Sequence, residues 1–351
     1  MTILLKEKPN DTFPTTVKGL PKNYNFEINK TLRTIKKLGA KKIALQFPDG
    51  LLSYAPIIID TITSYFDTDI TILNDVVYGA CCVDNSFKCD LLIHYGHSCL
   101  ISVAEMKTRV LYVFIDIRID IEHLIELIKR NFSQQKVALI GTIQFNGAVN
   151  RIGNILKKDN TIDLQIPQAK PLSKGEVLGC TSPLIKAEIC VYIGDGRFHL
   201  EAAMIKNRNV KFYKYCPFNR KLSREKYDNS QMLRDRKEEI VKFWAAENIG
   251  IVLSNLGMQG NMKIFNNLCK RLQAKGKKLY KIESDEINAD ILNTFSYVDA
   301  FVQVGCPRLS IDWGKNYNKP LLNPYEMLSE IKNDYEMDYY GNEGGNEWQN
   351  Y

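Results

Sequence analysis

The sequence predicts an α/β protein built from three weakly similar domains, each carrying a parallel sheet. Two observations point there. Short β-rich apolar runs alternate with amphipathic helical stretches, the pattern of βα units. One pattern of runs also occurs three times along the 351 residues, and self-similarity at a fixed period marks a repeated architecture.

Each repeat opens on an apolar strand: Ile43-Ala44-Leu45, Val137-Ala138-Leu139 and Ile251-Val252-Leu253. A second strand follows and ends in glycine, as DLLIHYG at Gly96, AEICVYIG at Gly194 and VDAFVQVG at Gly305. A third apolar run comes next: VLYVFID from Val110, VKFYKYC from Val210 and PLLNPYE from Pro320. Helical spacing of apolar residues fills the intervals, as at Leu51, Tyr54, Ala55, Ile58, Ile59 and Ile62, at Leu124, Leu127 and Ile128, and at Met262, Phe265, Leu268 and Leu272. The expected division is an N-terminal extension over 1–23, domains over 24–132, 133–245 and 246–335, and an acidic C-terminal tail over 336–351. A charged helix around 224–244 lengthens the second domain. In open α/β sheets functional groups collect beyond the carboxyl ends of the strands. The residues following the three strand-end glycines are therefore the ones presented: His97, Asp195 and Cys306.

Composition narrows the function. No uncharged stretch approaches the roughly 20 residues that span a bilayer. At the N-terminus, Ile3, Leu4 and Leu5 run straight into Lys6, Glu7 and Lys8, without the apolar core of a signal peptide. A cytoplasmic protein without membrane contact is expected. The net charge of +7 is uneven, because seven acidic residues face one lysine from Glu326 onward. That tail reads as a solvated extension, with Trp348 and Tyr351 available to a partner. The basic body suits an acidic protein or RNA, but its charges are dispersed and neither an aromatic platform motif nor a P-loop is present, which argues against nucleic acid.

Nine cysteines in a reducing compartment are not a disulfide framework. Cys81 in YGACC, Cys180 in LGCTS and Cys306 in VGCPR each lie close after a glycine, one per domain. Glycine there lets the backbone turn tightly and approach a ligand closely, so three packed domains could bring the three thiols together. Structural zinc asks for four ligands and C-x2-C pairs, which are missing, as is the compact ferredoxin spacing. Three thiolates on a four-iron cluster would leave one iron open for substrate. The competing reading of any one of them is a buried core cysteine, and Cys82 could stand in for Cys81. Cys89, Cys99, Cys190, Cys216 and Cys269 read as core or incidental residues.

The segments NYNFEINKT, LQFPDGLL, YGACCVD, HYGHSCL, YIGDGRFH, SNLGMQGN and VGCPRLSIDWG resemble, in this order, the catalytic first subunit of the eukaryotic enzyme that initiates diphthamide synthesis, the 2-(3-amino-3-carboxypropyl)histidine synthase family. The resemblance covers about residues 24–340. It implies three homologous α/β domains in a pseudo-threefold arrangement around a central 4Fe-4S cluster held by Cys81, Cys180 and Cys306, with the cluster itself as the catalytic group. It further implies S-adenosylmethionine as co-substrate, cleaved to a 3-amino-3-carboxypropyl group with radical character and methylthioadenosine. The acceptor is C2 of one histidine on elongation factor 2, and the implied partners are a second, non-catalytic subunit in a heterodimer and a small iron-binding electron donor.

Other candidates to touch the cofactor are His97 and Ser98, Asp195 and His199, Gln259, and Arg308, whose guanidinium fork suits the methionine carboxylate while Asp195 suits its ammonium. Helix capping and loop tying are the alternative uses of such side chains. His94 reads as a core residue and His123 as a surface one. Two other functions compete: a quinolinate synthase-like enzyme using its cluster as a Lewis acid, and a non-catalytic partner subunit. The match of the cysteine motifs disfavours the first, and retention of all three cysteines disfavours the second.

Overall fold

The computed structural model describes residues 13–73, 79–84, 86–159 and 162–350. Residues 1–12, most of the N-terminal extension, and Tyr351 lie outside the described residues. The chain divides into two compact units, one ending at Ile117 and the other starting at Arg118.

The first unit runs β1 (Tyr24–Asn25), α1 (Ile28–Leu38), β2 (Lys42–Gln46), α2 (Asp49–Leu52), α3 (Ala55–Thr63), β3 (Asp69–Leu73), β4 (Leu91–Tyr95), β5 (Val110–Val113) and β6 (Asp116–Ile117). Ile28, Leu32 and Ile35 recur at helical spacing in α1 and are buried. The sheet order is β3-β2-β4-β5, all parallel. Every residue of β4 is buried, as a strand covered on both faces requires. A short antiparallel pair, β1 with β6, closes the unit.

The second unit holds two sheets. Its first part runs α4 (Ile121–Phe132), β7 (Val137–Gly141), α5 (Asn146–Asp159), β8 (Leu164–Gln165), β9 (Ile189–Ile193), α6 (Phe198–Lys206), β10 (Lys211–Cys216), β11 (Lys221–Glu225) and α7 (Asn229–Ala245). Then come β12 (Asn248–Ser254), α8 (Met262–Ala274), β13 (Lys278–Ser284), α9 (Ala289–Asn293), β14 (Ala300–Val304), α10 (Arg308–Trp313), β15 (Leu321–Leu322) and α11 (Pro324–Leu328). The sheet orders are β11-β10-β9-β7-β8 and β13-β12-β14-β15.

All three sheets share one topology: the first strand lies between the second and the third, and the fourth flanks the third. The glycines Gly96, Gly194 and Gly305 directly follow the third strands β4, β9 and β14, so His97, Asp195 and Cys306 leave equivalent strand ends.

Three expectations are corrected. The helix expected from residue 224 begins at Asn229, where the Asp228 side chain accepts the Gln231 N–H at 2.9 Å. Residues 221–225 are instead β11, antiparallel to β10. In α8 the inward face is Ile264, Phe265, Leu268, Cys269 and Leu272, and Met262 is exposed. The tail is not a solvated extension throughout: Tyr335, Met337, Tyr339, Tyr340 and Gln349 are buried, while 342–345 and 347 are exposed. Tyr335 and Met337 share a core with Ala202 and Ile205 of α6, Met232 and Leu233 of α7, and Ile311 of α10. The reason is a period-two alternation, the mark of a half-buried extended chain. Tyr335, Met337 and Tyr339 turn inward while Glu336 pairs with Lys206 at 3.2 Å, so the average acidity hides the apolar face. Trp348 is likewise taken up internally: its indole donates to Asp338 at 2.8 Å and its ring meets Tyr325 edge-on.

Candidate functional site

In the first unit Cys81 sits on a single 3-10 turn, Gly79–Cys81, at the end of which the Cys82 N–H donates to the Gly79 carbonyl. Cys81 and Cys82 are both buried. The turn lies at the carboxyl edge of the sheet, because Gln46, the last residue of β2, donates from Nε2 to the Cys82 carbonyl at 3.0 Å. The same Gln46 meets His94 Nδ1 through its Oε1 at 2.8 Å. His94 and His97 stand with ring centroids 5.0 Å apart. Burial pushes His97 down to about 4, and burial followed by the neighbouring His97 pushes His94 down to about 3, so both imidazoles are neutral at physiological pH. His97 Nδ1 and His94 Nε2 are buried without a hydrogen-bond partner among the described residues. His94 is thus the core residue expected, held on one nitrogen only.

Gly79 is what lets this cluster form. Its φ of 56° is a conformation that side-chain-bearing residues avoid, and a Cβ there would run into the His97 ring. Gly79→Ala is expected to cost about 1–3 kcal/mol from the backbone alone and to displace His97 from the Cys81 turn. Equilibrium unfolding together with the His97 ring NMR shifts checks this, and an unchanged stability and spectrum would refute it.

In the second unit the chain pairs beside the end of β7, with the Gly141 N–H donating to the Gly175 carbonyl and the Val177 N–H to the Gly141 carbonyl, before it turns out into Gly179-Cys180-Thr181. Cys306 follows Gly305 at the end of β14; its carbonyl accepts from Gln303 Nε2 at 2.8 Å and from the Leu309 N–H that opens α10. Cys180 and Cys306 come together. Although the Cys180 residue keeps some surface open, protein surrounds its thiol; that burial, then the Cys306 sulfur, pushes it up to about 12. The Thr181 hydroxyl points at the Cys180 sulfur at 3.8 Å.

Arg308 clasps the two cysteine loops. It is 1% exposed, and its Nε donates to both Asp312 oxygens at 2.9 Å, its Nη2 to Glu201 at 2.8 Å, and its Nη1 to the carbonyls of Phe198 at 2.7 Å and Gly179 at 3.2 Å. The guanidinium also stacks on Phe198, 4.3 Å from the ring centroid. Arg308 was expected to bind a substrate carboxylate; in the structure its partners are protein groups. Asp312 and Glu201 already supply the carboxylates, and a buried guanidinium so paired is a structural link. Gly179 belongs to the same clasp, since a Cβ on it would collide with the Phe198 ring.

The remaining candidates scatter over the strand-end loops. Asp195 is exposed, and its carboxylate accepts the Gly196 N–H at 2.9 Å. His199 is half-buried, its ring edge-on to Phe198. Ser98 and Gln259 are buried, with the Gln259 carbonyl accepting from Tyr339 and Asn350. His123 is half-buried rather than fully at the surface, its Nδ1 2.9 Å from the Tyr215 hydroxyl. The sequence reading assigned no role of their own to the side chains of Gln46 and Gln303, which hold the cysteine-loop carbonyls of Cys82 and Cys306. Their signal was available: each is the one polar residue in the buried part of its strand, KIALQ and AFVQV, and buried polar groups there need a specific partner. Within either unit, the described residues hold no group of three or more His, Cys, Asp or Glu side chains gathered for a metal ion.

The family described as putative diphthamide synthesis protein matches residues 47–340. A protein of Encephalitozoon cuniculi named 2-(3-amino-3-carboxypropyl)histidine synthase subunit 1 is 51% identical over 354 residues, covering 100% of both chains. The protein of the same name from Saccharomyces cerevisiae is 46% identical over 345 residues, 93% of this chain and 81% of the relative. Among solved structures, Dph2 from Pyrococcus horikoshii matches with a TM-score of 0.73 at 24% identity, covering 89% of this chain and 92% of that one. Dph2 solved with a 4Fe-4S cluster matches with a TM-score of 0.73 at 23% identity over 90% and 97% of the two chains. At those identities the likeness establishes a shared fold.

Proposed function

Because the chain belongs to the diphthamide synthesis protein family, we propose that it transfers a 3-amino-3-carboxypropyl group from S-adenosylmethionine to C2 of a histidine imidazole on elongation factor 2. One Cγ–S bond breaks, one Cγ–C2 bond forms and the C2 proton leaves, so methylthioadenosine is released and the overall reaction is redox-neutral. The observation that carries this reading is the full-length 51% identity to a protein named as subunit 1 of the synthase.

Cys81, Cys180 and Cys306 are the proposed ligands of a 4Fe-4S cluster. The donor chemistry supports the assignment. Thiols suit iron-sulfur clusters, Cys180 and Cys306 are neighbours, and binding iron would deprotonate a thiol that burial otherwise keeps protonated. When bound, the cluster supplies a low-potential electron for C–S cleavage and an open iron that selects which of the three C–S bonds breaks.

The chain's own residues do the positioning. Gln46 and Gln303 hold the carbonyls of the loops bearing Cys81 and Cys306. Arg308 ties Gly179, beside Cys180, to α10, which starts two residues after Cys306. His97, Ser98, Asp195, His199 and Gln259 are proposed to face the co-substrate, Asp195 taking its ammonium and His97 offering a neutral imidazole. Three homologous domains, 24–132, 133–245 and 246–335, in a pseudo-threefold arrangement are part of the proposal; the common strand order of the three sheets supports their homology. A cytoplasmic heterodimer with a non-catalytic second subunit, primed by a small iron-binding electron donor, completes the proposal. No helix among the described residues is long and apolar enough to cross a membrane.

The test is anaerobic. The chain, alone and with its partner subunit, is loaded with iron and sulfide, reduced with dithionite and given S-adenosylmethionine and elongation factor 2. The expected result is methylthioadenosine matched by modification of a single histidine. A loaded, reduced enzyme that releases none would refute the proposal.

A further inference from the structure

Val177 makes the last backbone bond between the Cys180 loop and its own sheet. Beyond it, the C-terminal segment holds the loop in place. The Ser182 N–H donates to the Met337 carbonyl at 2.8 Å, the Tyr339 N–H to the Cys180 carbonyl at 3.2 Å, and the Tyr340 N–H to the Thr181 hydroxyl at 3.0 Å. Thr181 and Asp338 form an antiparallel bridge. This short two-stranded pairing takes up the Cys180 carbonyl and the Ser182 N–H, backbone groups that a buried loop must satisfy.

The segment is itself locked. The Asp338 carboxylate accepts from the Trp348 indole and from Gln349 Nε2, both at 2.8 Å, and from Asn346 Nδ2 at 3.3 Å, folding the last residues back. The Tyr339 and Tyr340 hydroxyls then donate to the carbonyls of Gln259 and Met258 at 2.8 and 3.1 Å. Asn350 Nδ2 donates to the same two carbonyls at 3.0 Å. One segment therefore bonds to the Cys180 loop on one side and to the loop after β12 on the other.

We propose that residues 337–350 are a positioning strap: they set Cys180 as a ligand and hold the Met258-Gln259 loop in register beside it. Met337, Tyr339 and Tyr340 make the contacts, and Asp338 is the hub that keeps the strap closed. The proposal rests on reading Cys180 as a ligand. These are positioning residues, because none of them reaches the reacting atoms except through the loops they hold.

The test compares the full chain with Asp338→Ala, which removes the hub, and with Tyr340→Phe, which removes one hydroxyl and keeps the ring. In metal-free protein, iodoacetamide labelling of Cys180 is expected to speed up by about tenfold in Asp338→Ala and a few-fold in Tyr340→Phe, as the loop opens locally. Labelling of Cys306 should stay unchanged. Amide exchange at Ser182 should accelerate in parallel, and iron-loaded variants should show an altered electron paramagnetic resonance signal. Unchanged labelling and exchange at Cys180 and Ser182 in the folded variants would overturn the strap. Equal acceleration at Cys306 would overturn it too, since the segment would then be a general stabiliser. Tyr340→Phe keeps the test decisive if Asp338→Ala does not fold. The ligand reading fails separately, if Cys180→Ala in an otherwise unaltered chain still binds iron at full stoichiometry.

Discussion

Cys180→Ala is expected to abolish iron loading and release of methylthioadenosine while leaving the fold in place. The loop is held by backbone bonds from Val177, Leu178, Ser182 and Tyr339, none of which uses the thiol. The side-chain hydrogen bond to the sulfur is the weak one from the Thr181 hydroxyl at 3.8 Å. Removing the sulfur therefore takes away a soft ligand and little else. Anaerobic iron and sulfide determination, with a thermal melt alongside, measures both consequences. Cys190→Ala makes the opposing control: Cys190 is fully buried inside the core of the middle sheet, so its loss should cost about 1 kcal/mol and no iron. Iron retained at wild-type stoichiometry by Cys180→Ala would end its assignment as a ligand.

Glu326→Ala is expected to destabilise the second unit by about 3–5 kcal/mol, the range for breaking a buried ion pair from one side. Arg236 and Glu326 are almost fully buried and meet twice, Nε to Oε1 at 2.5 Å and Nη2 to Oε2 at 2.9 Å. Arg236 Nη2 also donates to the Leu321 carbonyl at 2.7 Å. Glu326 closes the capping box of α11 with Asn323 and accepts from the Tyr335 hydroxyl at 2.8 Å. Alanine would strand a buried guanidinium, open the helix cap and free Tyr335, all at once. Chemical denaturation measures the loss. The double variant Arg236→Met with Glu326→Leu should recover much of it, because exchanging both partners leaves no charge buried alone. A Glu326→Ala chain of wild-type stability would refute the account.

Much of the fold was legible because its signal is local. Central strands of a parallel sheet are covered on both faces and so read as continuous apolar runs. That is why the opening strands at Ile43, Val137 and Ile251 and the strand ends at Gly96, Gly194 and Gly305 could be read directly. Four of the outer strands were not legible, although the edge strands β5 and β15 were read as the apolar runs from Val110 and Pro320. β3 and β13 alternate with exposed positions, β8 has two residues, and β11 carries Lys221 and Arg224 on an edge. The same logic explains Arg308. A guanidinium two residues after a cysteine could bind a substrate carboxylate or a protein one, and its motif is the same in either case. Only the fold shows that Glu201 and Asp312 lie beside it.

The sequence by itself determined the βα repeats, the strand ends from which His97, Asp195 and Cys306 emerge, and the family, through motifs spread along the chain. Tertiary structure alone decided that Cys180 and Cys306 are neighbours, that Arg308 joins their loops, and that the acidic C-terminus folds back onto Cys180. The physical reason is the range of the interactions. A strand's burial is written in its own alternation of side chains, whereas a hydrogen bond from Tyr339 to Cys180 joins residues far apart in sequence, and nothing local to either one records it.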